Sequence, residues 1–260
     1  DETFSNKREE LKGLIGEDLY KELMQSSYNA YYTPSEIMES MYLGLETLGI
    51  LRNEKVVALE PSCGIGHFIT KAPANFEFEA VEKDTISATI AKLLHPQTKI
   101  YNKSFEEVLF DREFDVVIGN PPYENTKAEN SKELIHNYFV QKSQNLLKDG
   151  GISSFVITSG FLDSKTNAHR LALLKDNIFL NATRLPNSIF RQTHTEVLTD
   201  IIFLRKTKDK EAFFSKKNDS ISESLKRHIQ SAESHFLNIA KLPVTINEES
   251  KTLAINRLFL

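Results

Sequence analysis

The chain has no tryptophan, one cysteine and ten glycines among its 260 residues. The lone Cys63 excludes an internal disulfide framework and fits a reducing compartment, so a cytoplasmic location is expected. No apolar run approaches the ~18–20 residues that a membrane span requires. Positive charge is not in excess either. Lys and Arg number 32 against 36 Asp and Glu, for a net charge of −4, so nothing pulls the whole chain toward a polyanion. Contact with nucleic acid would need a local basic face or another segment. His67, His95, His136, His169 and His194 lack metal-ligand spacing, and no metal site is expected. Internal repeats and low-complexity tracts are absent. The start, Asp1-Glu2-Thr3-Phe4, is neither an initiator methionine nor a signal peptide, and it fits an excised fragment of a longer protein.

What is present is an ordinary globular composition, 40% hydrophobic and 26% charged, in a chain long enough for one large domain or one domain with an appendage. Residues 5–25 have helical periodicity, with Leu11, Leu14, Ile15, Leu19, Leu23 and Met24 available for a buried face. In Tyr32-Thr33-Pro34-Ser35-Glu36, Thr33 can cap a helix, Pro34 suits its first position and Glu36 completes a capping box. From there on, short β-branched runs alternate with amphipathic stretches. This alternation predicts an α/β fold with a largely parallel sheet and helices on both faces. The charge run at Lys206-Thr207-Lys208-Asp209-Lys210 marks a change of composition. Residues 1–206 are therefore read as the main domain with its N-terminal helix, and 207–260 as a polar C-terminal extension containing a polar helix near 219–236.

Chemistry gathers at the expected carboxyl ends of the strands, where open α/β sheets bind ligands. After the strand Lys55–Glu60 comes Pro61-Ser62-Cys63-Gly64-Ile65-Gly66-His67-Phe68. A glycine turn there lets a ligand approach the backbone closely and aims amide hydrogens at an anionic group. The dinucleotide fingerprint wants a third glycine where Ile69 stands, which argues against a nicotinamide or flavin site. Glu82 ends the second strand at the spacing of an acid that binds a ribose diol. Asp84 can cap the next helix. Ser104 and Phe105 fall on the loop after a third short strand, where Phe105 could cover a bound adenine ring or simply join the core. The fourth strand runs into Asn120-Pro121-Pro122-Tyr123, where the prolines must end the ladder. The turn presents an amide, a stiff carbonyl-bearing backbone and an aromatic ring, a set able to grip a planar amino-bearing ring. Residues 124–131 read as a loop beside this site. Cys63 reads as a small packing residue.

These pieces, in this order, resemble the γ class of S-adenosylmethionine-dependent adenine-N6 DNA methyltransferases. The likeness runs from about Ala30 to Lys206 and rests on Tyr32-Thr33-Pro34, Glu60 to Phe68, Glu82 and Asn120 to Tyr123. It is similar in particular to the methyltransferase domains of large helicase–methyltransferase proteins of phages, plasmids and conjugative elements, through Arg184 to Phe190 and the strand from Thr195 to Leu204. The resemblance implies a Rossmann-like, seven-stranded, mostly parallel sheet with an antiparallel final strand, the class I methyltransferase fold. It implies S-adenosyl-L-methionine as cofactor and DNA as partner, with the target adenine flipped out. Further domains of a parent chain are expected, and no membrane. Tyr32, Thr33 and Pro34 would line the methionine end of the cofactor. Glu60, Pro61, Ser62, Gly64, Gly66 and Phe68 would form its loop, Glu82 would hold the ribose, and Ser104, Phe105 and Asn120 would flank the rest. Asn120 and the Pro121 carbonyl, in the turn completed by Pro122, would accept from the adenine amino group. Tyr123 and Phe190 would hold the base. Many relatives carry an acid where Ser104 stands, and Glu106 or a backbone carbonyl is the expected substitute. The intact tetrapeptide favours an active enzyme. Two alternatives remain open on the residues: a protein glutamine-N5 methyltransferase of release-factor type, and a silent DNA-binding module. RNA adenine is a further possible target. Nothing after Lys206 looks like a target-recognition domain.

Overall fold

The structure is a computed structural model that describes residues 2–28, 32–50, 54–123, 134–186, 198–215, 223–236, 239–246 and 249–256. Two helices lead the chain, α1 (Glu2–Ile15) and α2 (Glu17–Tyr28), separated at Gly16. Gly16 takes a left-handed conformation, φ +83°, which ends the first helix instead of continuing it. The single lead helix expected over 5–25 is thus two, and the face assigned to it is not buried as a unit. Leu14 is 78% exposed and Leu11 is at the edge of exposure. A glycine inside a periodic pattern rotates the second half of the pattern off the first.

The described core of the fold runs α3 (Ser35–Thr47), β1 (Val56–Glu60), α4 (His67–Lys71), β2 (Phe76–Val81), α5 (Thr85–Leu94), β3 (Lys99–Tyr101), a short 3₁₀ turn (Phe105–Glu107) and β4 (Phe114–Gly119). It continues through α6 (Ile135–Leu146), β5 (Leu147–Thr158), α7 (Gly160–Asp163), α8 (Ala168–Leu173), β6 (Asn177–Arg184) and β7 (Thr199–Lys206). The sheet order is β3-β2-β1-β4-β5-β7-β6. All neighbours are parallel except β7, which runs antiparallel to both β5 and β6. The expected seven-stranded, mostly parallel α/β sheet is the one observed. β1 is buried at every residue, as a central parallel strand covered on both faces must be.

Two apolar layers sandwich the sheet. One includes Ile37, Met41 and Leu45 of α3 against Val56, Val116 and Ile152. Gly44 lets α3 approach closely, since a Cβ there would sit 2.5 Å from the Phe203 ring of β7. The other layer includes Phe139 and Val140 of α6 and Leu173 of α8 against Val57, Val117 and Phe155.

Beyond β7 come α9 (Lys210–Ser215), α10 (Glu223–Phe236) and an antiparallel pair, β8 (Ile239–Ile246) with β9 (Glu249–Asn256). The polar helix expected near 219–236 is α10, and it has one apolar face. Ile229 joins the first layer beside Ile178, while Phe236 stacks on Phe179 at 4.1 Å in the second. Ile178 and Phe179 point to opposite faces of the edge strand β6, and α10 packs on that strand with side chains in both layers.

Candidate functional site

The strand order reverses between β1 and β4, and the crevice at their carboxyl ends is the topological switch point where such sheets bind ligands. Three stretches distant in sequence meet there. The Asn120 side chain donates from Nδ2 to Thr33 Oγ1 at 3.1 Å, and Ser62 Oγ donates to the Asn120 carbonyl at 3.2 Å. Thr33 is buried and precedes Pro34, the cap residue of α3. The capping box read at Thr33–Glu36 does not form. Pro34 is the cap residue, no side chain caps the helix, and the Thr33 hydroxyl serves Asn120 instead. A local motif competed with a tertiary partner, and the tertiary partner won.

Below this junction lies the glycine turn. Gly64 has φ +54° and Gly66 φ +88°, both in the left-handed region that favours glycine. The two differ in what surrounds them. A Cβ on Gly66 would meet the His95 imidazole at 2.5 Å, whereas one on Gly64 would meet nothing within 4 Å. Gly66 is thus needed for packing, and Gly64 faces open space where a ligand can approach. The Gly64 amide donates to Glu82 Oε2 at 2.7 Å, and the Asp84 amide donates to Glu82 Oε1 at 2.7 Å. Asp84 itself caps α5 as expected, accepting from the Ser87 amide. Cys63 is buried on Ala80, Ala91 and Ile100, consistent with a packing role. Burial pushes its thiol up, helped by Glu60 and Glu82.

Glu60 is almost fully enclosed, and its Oε2 is a buried oxygen with no hydrogen-bond partner among the described residues. Burial, and then the nearby Glu82, hold its carboxyl well above the usual range. Burial likewise raises Glu82, against the pull of its backbone hydrogen bonds. Two desolvated acids flanking an open glycine turn suit a ligand with a positive charge and hydroxyl donors, and disfavour a pyrophosphate. S-adenosylmethionine, with its sulfonium, amino group and ribose diol, fits that donor set.

Not every expected site residue lines this crevice. Phe105 is enclosed, with its ring 4.9 Å from that of Phe139, so it packs in the core layer and does not offer an open face. Its alternative as a core residue is the arrangement observed. Phe68 is likewise a core residue, and its carbonyl accepts from the Tyr42 hydroxyl at 2.7 Å. The Ser104 amide and hydroxyl both donate to Glu107, closing a capping box on the 3₁₀ turn. Tyr32 is exposed, its ring 5.4 Å from that of His67. Pro34 is half-buried at the start of α3, and Pro61 is buried where Gly119 approaches it. Pro121 is buried, with Pro122 and Tyr123 half-buried and Tyr123 packed against the first apolar layer. Phe190, the segment Thr195-Glu196-Val197 and the loop 124–131 lie outside the described residues. No cluster of metal-ligating side chains occurs among the described residues.

Sequence reasoning missed two contributors. Lys142 of α6 reaches the loop after β3, and Arg184 pairs with Asp200 at 2.8 Å and with Asp163 at 2.9 Å on the same sheet edge. Lys142 is a lone charge on an amphipathic helix, and Arg184 reads in the sequence only as the start of the stretch to Phe190; in neither case does a local pattern announce the partner.

Comparison with known proteins agrees with this geometry. Residues 67–190 match the model of the Eco57I restriction-modification methylase family. The "Defense against restriction protein B" of Escherichia phage P1 is 29% identical over 191 residues, covering 69% of this chain but 8% of that protein. The type II methyltransferase M.CvrRI of Paramecium bursaria Chlorella virus XZ-6E is 27% identical over 196 residues, covering 68% of this chain and 49% of the relative. The chain therefore spans about half or less of the length of these relatives. Among solved structures, a type I restriction-modification methyltransferase subunit from Streptococcus thermophilus superposes with a TM-score of 0.58 at 20% identity, over 86% of this chain and 58% of that one. A candidate class I S-adenosylmethionine-dependent methyltransferase of Listeria monocytogenes gives 0.60 at 18%, over 81% and 73%. The fold is that of the class I S-adenosylmethionine-dependent methyltransferases, and this fold with the family match implies S-adenosylmethionine as the cofactor. No helix among the described residues is long and apolar enough to cross a membrane.

Proposed function

We propose that this chain, class I in fold and matched over 67–190 by the restriction-modification methylases, is the catalytic module of a DNA methyltransferase that modifies the N6 amino group of a flipped-out adenine. The observation that carries this reading is the Thr33–Asn120–Ser62 junction, which holds the Asn-Pro-Pro-Tyr turn rigidly beside the glycine turn. The hydrogen bond from Nδ2 to Thr33 sets the orientation of the Asn120 amide, and Oδ1 is the acceptor this reading assigns to the adenine amino group.

The adenine amino nitrogen is a poor nucleophile because its lone pair is delocalised into the ring. Asn120 Oδ1 and the Pro121 carbonyl would accept its two hydrogens and draw them out of the ring plane, localising the lone pair. The cofactor supplies an electrophilic methyl carried on a positively charged sulfur. Transfer would form the N–C bond as the C–S bond breaks, and the surplus amino proton would leave to water. Tyr123 would stack on the extruded base, at about 1–3 kcal/mol, against an unstacking cost of a few kcal/mol. The chain's own contribution is positioning and fixed dipoles, with no covalent nucleophile.

Incubation with S-adenosylmethionine and unmethylated DNA, followed by nucleoside mass spectrometry, tests the reading. Wild type is expected to yield N6-methyladenine, and Asn120→Ala none, with cofactor binding retained. Turnover by the variant, or methylglutamine formed in a release factor in place of methyladenine, refutes it.

A further inference from the structure

We propose that Lys142, on α6 downstream of the Asn-Pro-Pro-Tyr turn, is a positioning residue that pins the loop after β3 as the wall of the cofactor site beyond the ribose. The inference rests on the cofactor reading above. The Lys142 ammonium donates to three backbone carbonyls of one short loop: Phe105 at 2.5 Å, Val108 at 3.1 Å and Glu106 at 3.3 Å. It also lies 4.6 Å from the centre of the Phe105 ring. All three ammonium hydrogens are thus used, and on one target.

The carbonyls are those of Phe105 and Glu106, the first two residues of the three-residue 3₁₀ turn Phe105–Glu107, and of Val108 just beyond it, and so short a turn leaves such acceptors without internal partners. A cation there also complements the local dipole. The other end of the turn is closed by Ser104 and Glu107. The loop is therefore closed at its start by its own capping box and held from Phe105 to Val108 by a side chain from a distant helix.

Its place in the site explains why this matters. The Glu82 amide donates to the Tyr101 carbonyl at the end of β3, and Asn102 Nδ2 donates to the Glu82 carbonyl at 3.0 Å. The loop thus begins beside the acid assigned to the ribose. Phe105 is committed to the core, so the ring cannot be what the loop offers a ligand. The backbone and Glu106 remain, and their position depends on the tie at Lys142. Partial burial lowers the Lys142 pKa, yet an ammonium with three carbonyl acceptors stays the form that fits.

The test compares wild type, Lys142→Met and Lys142→Arg in binding S-adenosylhomocysteine by calorimetry, in steady-state methylation, and in amide hydrogen exchange over residues 104–108. Lys142→Met is expected to bind about tenfold more weakly, the equivalent of one or two lost hydrogen bonds. It should raise KM for the cofactor by the same factor and leave kcat at saturating cofactor unchanged. Exchange should accelerate over 104–108 and not across β1, β4 and β5. Lys142→Arg, which keeps charge and donors, should recover part of the affinity. Unchanged affinity and unchanged exchange in Lys142→Met overturn the proposal, as does exchange accelerated across the whole sheet. A wild-type protein that binds no S-adenosylhomocysteine refutes the cofactor reading itself, and the role given to Lys142 with it.

Discussion

Replacing Thr33 by Val removes one oxygen and almost no volume, and it isolates the contact on which the catalytic turn depends. Thr33 is 7% exposed, and it accepts from Nδ2 of the half-buried Asn120 at 3.1 Å, so the bond is shielded from water on the Thr33 side. Stripping one partner from a buried donor costs about 1–3 kcal/mol. If the contact serves to orient the amide, that energy is lost in the transition state, where Oδ1 must meet the amino group. A loss of 1–3 kcal/mol corresponds to a fall of roughly 5- to 150-fold in the rate of transfer. The assay is single-turnover methyl transfer to DNA at saturating cofactor, with the melting temperature measured in parallel. Thr33→Ser, which keeps the hydroxyl, should stay close to wild type. A Thr33→Val protein that transfers methyl at the wild-type rate would show that Asn120 needs no such support, and the junction would lose its claim to organise the site.

Two other perturbations follow from the same physics. Glu60 has a folded-state pKa above its ordinary value of 4.5, so its contribution to stability is fully present below that pH and is lost as pH rises through the raised value. Glu60→Gln should therefore melt higher than wild type near neutral pH in the absence of cofactor, converge with it in acid, and bind S-adenosylmethionine about 10- to 100-fold more weakly for want of a charged partner. Equal melting curves at neutral pH would contradict the burial argument. Phe236→Ala removes a fully buried ring stacked on Phe179, at a cost of about 3–5 kcal/mol and about 6–20 °C in melting temperature. A change within a degree would mean that α10 is a detachable appendage and not part of the main domain.

The central strands and the turns that follow them were legible because their signals are local. β-branched runs bounded by proline or glycine can be read without knowing what they touch, and β1, β3 and β4 lie where the residues place them. The cap at Asp84 was legible for the same reason. Where a residue had two uses, local pattern could not choose between them. Thr33 could cap α3 or hold Asn120, and Phe105 could face a ligand or the core. In both cases the partner lies far along the chain, and only the closed fold brings it near. The lead helices failed differently. Their periodicity was real, but Gly16 turned the chain and exposed Leu14.

The order of residues alone thus determined that strands alternate with helices, that an open glycine turn follows the first strand, and that an amide-bearing proline turn follows the fourth. These are short-range consequences of backbone sterics and of side-chain periodicity. The tertiary structure decided which side chains stand together at the switch point: Thr33 with Asn120, Glu82 beneath Gly64, and Lys142 under the loop after β3. Those pairings are set by sheet order and by the angle at which each helix crosses it. They are long-range packing outcomes in which a polar group is buried only once its distant partner has been brought within reach.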